Sequence, residues 1–262
     1  MLKKRLIPVL LLMNGMLVRS EKFHTHQVLG NPIHEVERFN EWNVDELIYI
    51  DISRVNEYDL RRSDSKVSPL TNPMDILDQV SRTCFMPLTW GGRIRSIEDM
   101  RERFLRGADK IVINTSAFEN PTLIQDGAQI FGRQAIVVSI DAKKHLNGEY
   151  EVYTNCGRTP TGKLVAEWAA QVEGAGAGEI FLQSIDEDGM GEGYDTDVIQ
   201  LVCSKVNIPV IACGGVGRFE DYAAGIEAGA SAVAAANLWH FKELADRAGK
   251  RALAKAGIQV RD

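Results

Sequence analysis

Eight short apolar runs, each followed by an amphipathic or polar stretch, constrain the fold of this chain most strongly. The runs lack strict alternation of apolar and polar residues, which is typical of parallel strands buried on both faces. The predicted strands span residues 6–12, 46–50, 88–92, 110–113, 135–140, 179–182, 209–212 and 232–235. Helical patterns lie between them at residues 32–43, 76–83, 97–106, 165–174 and 219–228. This alternation, without a Pro/Ser-rich linker, predicts one α/β domain over residues 1–262, a (β/α)8 TIM barrel.

The two halves of the chain carry matching motifs in the same order. Segment 86–92, in which a proline precedes a pair of glycines, matches segment 208–215, and the strand run 5–11 matches 135–141. Any barrel repeats strand–helix units, so repetition alone is weak evidence. The matching order of the glycines favours a duplicated half-barrel, with paired sites across a pseudo-twofold axis.

Composition excludes several classes of partner and site. The formal net charge is −6, and no segment combines clustered Lys and Arg with aromatic residues, so a nucleic-acid partner is not expected. The four cysteines show no metal-binding spacing, so they are interpreted as reduced thiols of a cytoplasmic protein. We expect no cofactor, no metal site and no membrane span.

The N-terminus has two interpretations. Basic residues 3–5 precede an apolar run over residues 6–13, as in a short signal peptide. However, Pro8 interrupts the run and Asn14-Gly15 is a turn signal. A buried first strand explains the same residues and is the preferred interpretation.

Glycine pairs follow two of the predicted strands at matching positions. Glycine lets a backbone approach a phosphate closely enough for amide N–H groups to bind it. Two matching sets therefore favour a ligand with a phosphate at each end, although glycines also serve tight turns. The candidate residues are Gly91, Gly92, Asn114 and Thr115 in one half and Gly214, Gly215, Ala236 and Asn237 in the other.

Carboxylates also follow the predicted strands. Asp141 ends a buried run, where desolvation would raise its pKa and suit acid–base or ligand-binding work; the alternatives are a helix N-cap or a link to Lys143. Asp51, Asp186 and Asp188 lie at equivalent ends, and ligand binding and turn chemistry are equally open for them. The dipeptide Asp188-Gly189 particularly suits a turn.

Four charged residues form a second set, because each begins a predicted strand: Arg5, Glu46, Lys110 and Glu179. Together they would gather at the bottom of a barrel, either as an ordered ring or as a solvated rim of salt bridges. Residues 53–72 form a long polar loop that is either a lid or partner contact, or a surface insertion.

These motifs together resemble the HisF family, in order from residue 4 to about residue 261. The matching segments are KRLIP at 4–8, DEL at 45–47, DI at 51–52, GADK at 107–110, INT at 113–115, IDAK at 140–143, GAGEI at 176–180, SIDEDG at 184–189, GYD at 193–195, CGG at 213–215 and WHF at 239–241.

The resemblance implies a heterodimer with a glutaminase, HisH, that docks at the bottom of the barrel. Ammonia would enter through a gate of four charged residues, here Arg5, Glu46, Lys110 and Glu179, with Asp109 at the partner interface. At the top it would join a phosphorylated ribulosyl aminoimidazole carboxamide nucleotide. Cyclisation and lyase chemistry would yield imidazole glycerol phosphate.

The chain departs from the family pattern at the top. The family uses two aspartates as acid and base; Asp141 keeps one, but Leu11 stands at the other. A positioned acid–base group contributes about 10²–10⁴-fold in rate, so we expect impaired cyclisation. Arg93 replaces a glycine of the phosphate loop, where an arginine would either bind a phosphate with two hydrogen bonds or fill the site. Gln183 stands in place of a small hydroxyl residue, and Arg19 in place of a lysine.

An intact bottom with an altered top resembles a HisF-like branch associated with surface-polysaccharide (lipopolysaccharide) biosynthesis. In that branch a third protein, an ATP-dependent amidotransferase acting on a sugar, receives the ammonia. The sequence thus predicts either a synthase subunit of histidine biosynthesis or an ammonia-channel protein.

Overall fold

The computed structural model describes residues 3–42, 44–53, 58 and 70–261. In chain order its strands are β1 (Arg5–Met13), β2 (Met16–Glu21), β3 (Thr25–Gly30), β4 (Leu47–Asp51), β5 (Leu88–Gly91), β6 (Lys110–Ile113), β7 (Ile136–Lys144), β8 (Tyr150–Thr154), β9 (Thr159–Leu164), β10 (Glu179–Ser184), β11 (Val210–Cys213) and β12 (Ala232–Ala235). Its helices are α1 (His34–Trp42), α2 (Pro73–Thr83), α3 (Ile97–Leu105), α4 (Thr115–Glu119), α5 (Thr122–Phe131), α6 (Val165–Ala175), α7 (Thr196–Cys203), α8 (Asp221–Glu227), α9 (Asn237–Phe241) and α10 (Ala245–Lys255), with a 3-10 turn at Arg133–Ala135.

Eight parallel strands of the described chain close into a barrel. The order is β1-β4-β5-β6-β7-β10-β11-β12, and β12 pairs with β1 through Arg5 opposite Ala232. Helices surround this cylinder, so the predicted (β/α)8 barrel is confirmed. Each of the eight predicted apolar runs coincides with a barrel strand, including the N-terminal run, which forms β1. Among the described helices, none has the length and apolar character needed to cross a bilayer.

Local sequence signals position the helices around the barrel. Asn72 accepts a hydrogen bond from the backbone of Met74 and so caps α2, whose first residue is proline. Ser96 and Asp99 form a reciprocal capping box at the start of α3. These caps satisfy backbone N–H groups that have no partner within the helix, and they fix where each chain segment leaves the barrel rim.

Two antiparallel hairpins, which the sequence analysis missed, rise from the carboxyl ends of the barrel strands. Strands β2 and β3 extend β1, and the connecting residues Asn14 and Gly15 both have positive φ, as a two-residue hairpin turn requires. Strands β8 and β9 extend β7, which runs beyond the rim to Lys144. Both hairpins therefore stand beside the opening of the barrel.

The core has two layers, one between strands and helices and one inside the barrel. The outer layer contains most of the large aromatic side chains, among them Tyr49, whose ring stacks on that of Trp90 with the ring centroids 5.1 Å apart. The inner layer is apolar along much of its height. It includes Ile7, Val9, Ile48, Val112, Val137, Phe181, Ile211, Ala232 and Ala234.

A buried histidine in α9 makes the stability of this fold sensitive to pH. Both ring nitrogens of His240 are shielded from solvent and have no hydrogen-bond partner among the described residues. Burial, together with the nearby charge of Arg38, lowers the pKa of His240 to about 4. In the unfolded chain His240 is therefore protonated below about pH 6.5, whereas in the folded chain it is protonated only below about pH 4.

We predict that His240 lowers the free energy of unfolding as the pH falls from 6.5 to 4, by roughly 3 kcal/mol in total. Chemical denaturation of wild type and His240→Gln at several pH values measures this as the difference between the two proteins. The difference in free energy of unfolding between the two proteins cancels the pH-dependent contributions of other buried groups, which both proteins share. A difference that stays constant between pH 7 and pH 4 would contradict the prediction.

Candidate functional site

A cavity of about 540 Å³ opens at the carboxyl ends of the barrel strands. The loops that follow the strands, together with the two hairpins, supply its walls. Enzymes with this fold place their chemistry at this end of the barrel. Of the predicted site residues, those that line the cavity are Asp51, Gly92, Arg93, Asn114, Thr115, Asp141, Asp188, Gly189, Gly214, Gly215, Ala236 and Asn237.

Two of the residues predicted for the substrate site at the top of the barrel do not line this cavity. Gly91 is buried, and a Cβ at this position would lie 2.3 Å from Val112, so its small size serves packing within the barrel. Asp186 accepts a hydrogen bond from the backbone of Lys144 at 2.9 Å and ties the loop after β10 to the end of β7. These contacts give both residues a role in packing or loop attachment that does not involve a ligand.

Asp141 lies at the floor of the cavity, where β7 reaches the rim. Its Oδ1 accepts hydrogen bonds from Ser139 Oγ at 3.2 Å and from Gln183 Nε2 at 3.4 Å. Burial is the main effect that raises the pKa of Asp141 to about 7, and the bonds from Ser139 and Gln183 partly oppose it. A carboxyl group with such a pKa can both give and accept a proton near neutral pH.

Leu11 lies in β1 and lines the same cavity, with only 8% of its surface exposed. Leu11 has no group that exchanges a proton. Strand β7 therefore supplies an acid to the cavity through Asp141, whereas its half-barrel counterpart, β1, supplies an aliphatic side chain. The cavity floor is therefore chemically asymmetric.

Asp51 lines the cavity, and both of its carboxylate oxygens are bonded to neighbouring residues of the wall. Its Oδ1 accepts from the backbone and hydroxyl of Ser53, and its Oδ2 accepts from Tyr58 Oη at 3.0 Å and lies 3.1 Å from Arg93 Nε. The side chain of Asp51 is 1% exposed. The Ser53 contact is turn chemistry, one of the two interpretations that the sequence left open.

Arg93 is held from several sides. Its guanidinium stacks over the ring of Tyr58 at 4.9 Å and pairs with Asp51, and its carbonyl accepts a hydrogen bond from the buried Arg103. Arg93 has a φ of 56°, which glycine adopts more easily than arginine does. These contacts offset the backbone strain and neutralise much of its charge.

The glycines of the two repeated motifs allow close backbone approach. At Gly92, with φ 96°, a Cβ would lie 2.2 Å from the carbonyl oxygen of Asp51. At Gly215, with φ 102°, it would lie 1.8 Å from the carbonyl oxygen of Gly193. Tight turns therefore require both glycines, and both line the cavity, so phosphate binding there stays a prediction.

The amide side chains beside these glycines hold the site together. Asn114 donates to the carbonyl of Ser139 at 3.1 Å, next to Asp141. Asn237 donates to the carbonyl of Ser20 in the first hairpin at 2.9 Å. Thr115 accepts a hydrogen bond from the backbone of Asn155 in the second hairpin at 3.0 Å. Each half of the barrel thus contacts the hairpins above it.

Asp188 connects the first hairpin to the loop after β10. Its Oδ2 accepts from Ser20 Oγ at 2.7 Å and from the backbone of Phe23 at 3.1 Å, while its carbonyl accepts from the backbone of Lys22. Burial raises the pKa of Asp188, and the bond from Ser20 partly opposes this. Gly189 lies so close to Ser20 that a Cβ there would be 2.2 Å from its carbonyl oxygen.

At the bottom of the barrel the four charged residues form a ring, which we call the collar: Arg5, Glu46, Lys110 and Glu179. Arg5 Nη1 donates to both oxygens of Glu46 at 2.9 and 3.0 Å, and its Nη2 pairs with Glu179. Lys110 Nζ lies 3.0 Å from Glu179 and 3.4 Å from Glu46. Three members are buried, so the collar is an ordered ring and not a solvated rim.

The C-terminus adds a cation to the collar that the sequence did not suggest. Lys4 and Val260 form a parallel bridge, and this places Arg261 Nη1 3.6 Å from Glu46. Asp109, predicted at a partner interface, is exposed beside the collar and accepts a hydrogen bond from the backbone of Leu88.

Two further residues of the site were not indicated by the sequence, and part of one predicted loop lies outside the residues that the structure describes. Tyr58 and Phe23 gave no signal because each lies in a polar segment without periodicity, and both reach the site through tertiary contacts. Most of the predicted loop at residues 53–72 lies outside the described residues.

Comparison with known proteins gives a consistent result. A family model described as "Histidine biosynthesis protein" matches residues 5–245. The chain is 43% identical over 266 residues to the imidazole glycerol phosphate synthase subunit HisF of Caulobacter vibrioides, covering 100% of this chain and 97% of that protein. It is 40% identical over 264 residues to the subunit of the same name from Gluconacetobacter diazotrophicus, with the same coverage. For that of Alkaliphilus metalliredigens the identity is 39% over 264 residues, with both chains covered in full.

Proposed function

The chain belongs to the HisF family of histidine-biosynthesis proteins, and from this premise we propose that it is an ammonia-using synthase subunit with its own cyclase activity. Ammonia would enter at the collar, cross the barrel interior and react in the cavity at the top. The observation that carries the proposal is Asp141, a buried carboxyl group whose pKa is raised to about 7 at the floor of that cavity.

The cavity suits a substrate with a phosphate at each end. Backbone N–H groups at Gly92 and Gly215 would bind the two phosphates, and Asn114 and Asn237 would fix the loops beside them. Asp141 lies between the two glycine motifs and would exchange protons with the reacting centre. No cofactor takes part in this proposal.

The lower half of the barrel suits the passage of ammonia. Neutral ammonia crosses an apolar interior at lower cost than a charged ion does, and the inner layer above the collar is built from apolar side chains such as Val9, Val112 and Phe181. A HisH-type glutaminase docked at the bottom, near Asp109, would release ammonia directly at the collar.

A second candidate function rests on Leu11. The chain has an aliphatic side chain where the family pattern places an acid, and Arg93 is held by Asp51 beside the first glycine motif. A protein with this top would deliver ammonia to a separate ATP-dependent sugar amidotransferase without cyclising a substrate itself. The two candidates share the collar and differ only at the cavity.

Growth of a histidine auxotroph that lacks its own HisF separates the two candidates. We expect this chain, expressed with its glutaminase partner, to restore growth without histidine. The Asp141→Asn variant is the matched control and should not restore growth, because it removes the proton-exchanging group while it keeps the shape of the side chain.

Failure of the wild-type chain to restore growth, with soluble protein present at the level of a rescuing HisF, would reject the cyclase function. In that case purified protein should still pass ammonia from glutamine to an added sugar amidotransferase if the second candidate is correct.

A further inference from the structure

Cyclisation with ammonia needs a second proton-exchanging group, because Asp141 alone cannot act on both sides of a reacting bond and Leu11 cannot act at all. The carboxylates that line the cavity in the described part of the chain are Asp51, Glu119, Asp141 and Asp188. Asp51 is occupied by Ser53, Tyr58 and Arg93, and Glu119 is exposed at the rim. Among these carboxylates, Asp188 is the one that remains.

The surroundings of Asp188 hold one of its oxygens and leave the other to the cavity. Ser20 and Phe23 both bond to Oδ2, so the carboxyl group has a fixed orientation. No described residue donates to Oδ1, and Asp188 forms part of the cavity wall. A carboxyl group fixed through one oxygen presents the other to a ligand without the entropic cost of ordering it.

Asp188 and Asp141 are electrostatically coupled. Asp141 lies in β7 and Asp188 in the loop after β10, and these two strands pair side by side with Gln183 opposite Asp141. The charge of Asp188 raises the pKa of Asp141, in addition to the larger effect of burial. The buried thiol of Cys213 lies within the electrostatic reach of both carboxylates, and after the effect of burial each of them raises its pKa. The two carboxyl groups therefore line one cavity, and the charge on Asp188 favours the protonated form of Asp141.

We propose that Asp188 is the second proton-exchanging group, which works with Asp141 in this chain in place of the group that Leu11 lacks. The acid–base pair then comes from β7 and from the loop after its neighbour β10, instead of from opposite sides of the barrel. This inference rests on the proposed ammonia-dependent cyclase function and assigns to Asp188 a chemical role at that site.

The pair balances the addition of ammonia to a carbonyl group. The N–C bond forms as the C=O electron pair moves to oxygen, Asp141 gives its proton to that oxygen, and the Asp188 carboxylate takes a proton from the nitrogen. In the next step Asp188 returns its proton to the hydroxyl group, which leaves as water, while Asp141 takes a proton from the nitrogen as the C=N bond forms. Both carboxyl groups are then in their starting states.

The test measures turnover of the ribulosyl aminoimidazole carboxamide substrate with ammonium chloride as the nitrogen source. Asp188→Asn should lower kcat by about 100-fold or more while KM changes by less than about threefold. Glu192→Gln, an exposed carboxyl group in the same loop, is the matched control and should leave kcat unchanged. The carboxyl signal of Asp141, followed by NMR, should titrate at lower pH in Asp188→Asn.

A rescue experiment excludes a purely structural role. Leu11→Asp installs a carboxyl group on the opposite wall, so Leu11→Asp/Asp188→Asn should recover at least about tenfold in kcat over Asp188→Asn. Retention of wild-type kcat by Asp188→Asn, or an unchanged titration of Asp141, would overturn the assignment and leave the proposed function intact. Absence of turnover in the wild type would instead reject the proposed cyclase function, and the catalytic role of Asp188 with it.

Discussion

Asp141→Asn is expected to lower ammonia-dependent turnover by at least about 100-fold and, at the same time, to make the folded chain more stable at pH 8. The first effect follows from loss of the proton-exchanging group at the floor of the cavity. The second follows because burial of a carboxylate is unfavourable, and burial is the main cause of the raised pKa of Asp141. Activity and stability should therefore change in opposite directions.

The sign and the pH window of the stability effect follow from the two protonation states. Unfolded Asp141 titrates near pH 3.8 and folded Asp141 at about 7, so the folded chain binds the extra proton between these values. The ionised group therefore lowers the stability of wild type progressively as the pH rises from about 4 to 7. The asparagine variant lacks this unfavourable contribution, which amounts to roughly 4 kcal/mol above pH 7.

Thermal and chemical unfolding of Asp141→Asn and wild type at pH 4 and pH 8 measures the effect. The two proteins should be similar at pH 4, and the variant should unfold several degrees higher at pH 8. Asp126→Asn, the same replacement on the exposed face of α5, is the control and should change neither stability nor turnover. Equal stability of variant and wild type at pH 8 would show that Asp141 is not desolvated as the structure indicates.

The barrel could be predicted from the sequence because its strands are encoded locally. Each strand is buried on both faces, so an apolar run marks it directly, and Asn14-Gly15 marks the turn that follows β1. The strands β3 and β9 were missed because they are largely exposed and polar, and this pattern does not differ from that of a loop. Their position depends on the extension of β1 and β7 beyond the rim.

The candidate site could be predicted only in part, because its contacts join residues distant in sequence. Asp141 was found from its place at the end of a buried run. The hydrogen bond from Ser20 to Asp188 could not be predicted in the same way, because it links residues 168 positions apart. Likewise, the sequence placed the collar residues at strand starts, but barrel closure decides that Arg5 bonds to both Glu46 and Glu179.

Arg5→Met is expected to lower the free energy of unfolding by about 3–5 kcal/mol, the largest loss from a single replacement in the collar. Arg5 is the more buried of the two cations that pair with both Glu46 and Glu179, whose side chains are only 7% and 6% exposed. Its removal leaves two buried carboxylates with weaker partners. Lys110 is more exposed, so Lys110→Met should cost about 1 kcal/mol, as measured by urea denaturation of both variants at pH 7.

Neutralising the whole collar separates its structural from its functional role. In Arg5→Met/Glu46→Gln/Lys110→Met/Glu179→Gln no buried charge of the ring is left unpaired, so most of the stability lost in Arg5→Met should return. If the collar admits ammonia, this folded variant should keep turnover with ammonium chloride but lose about tenfold or more of its turnover with glutamine and the glutaminase partner. Undiminished glutamine-dependent turnover would mean that a ring of charges is not required for ammonia to enter, and that the collar serves the barrel's stability alone.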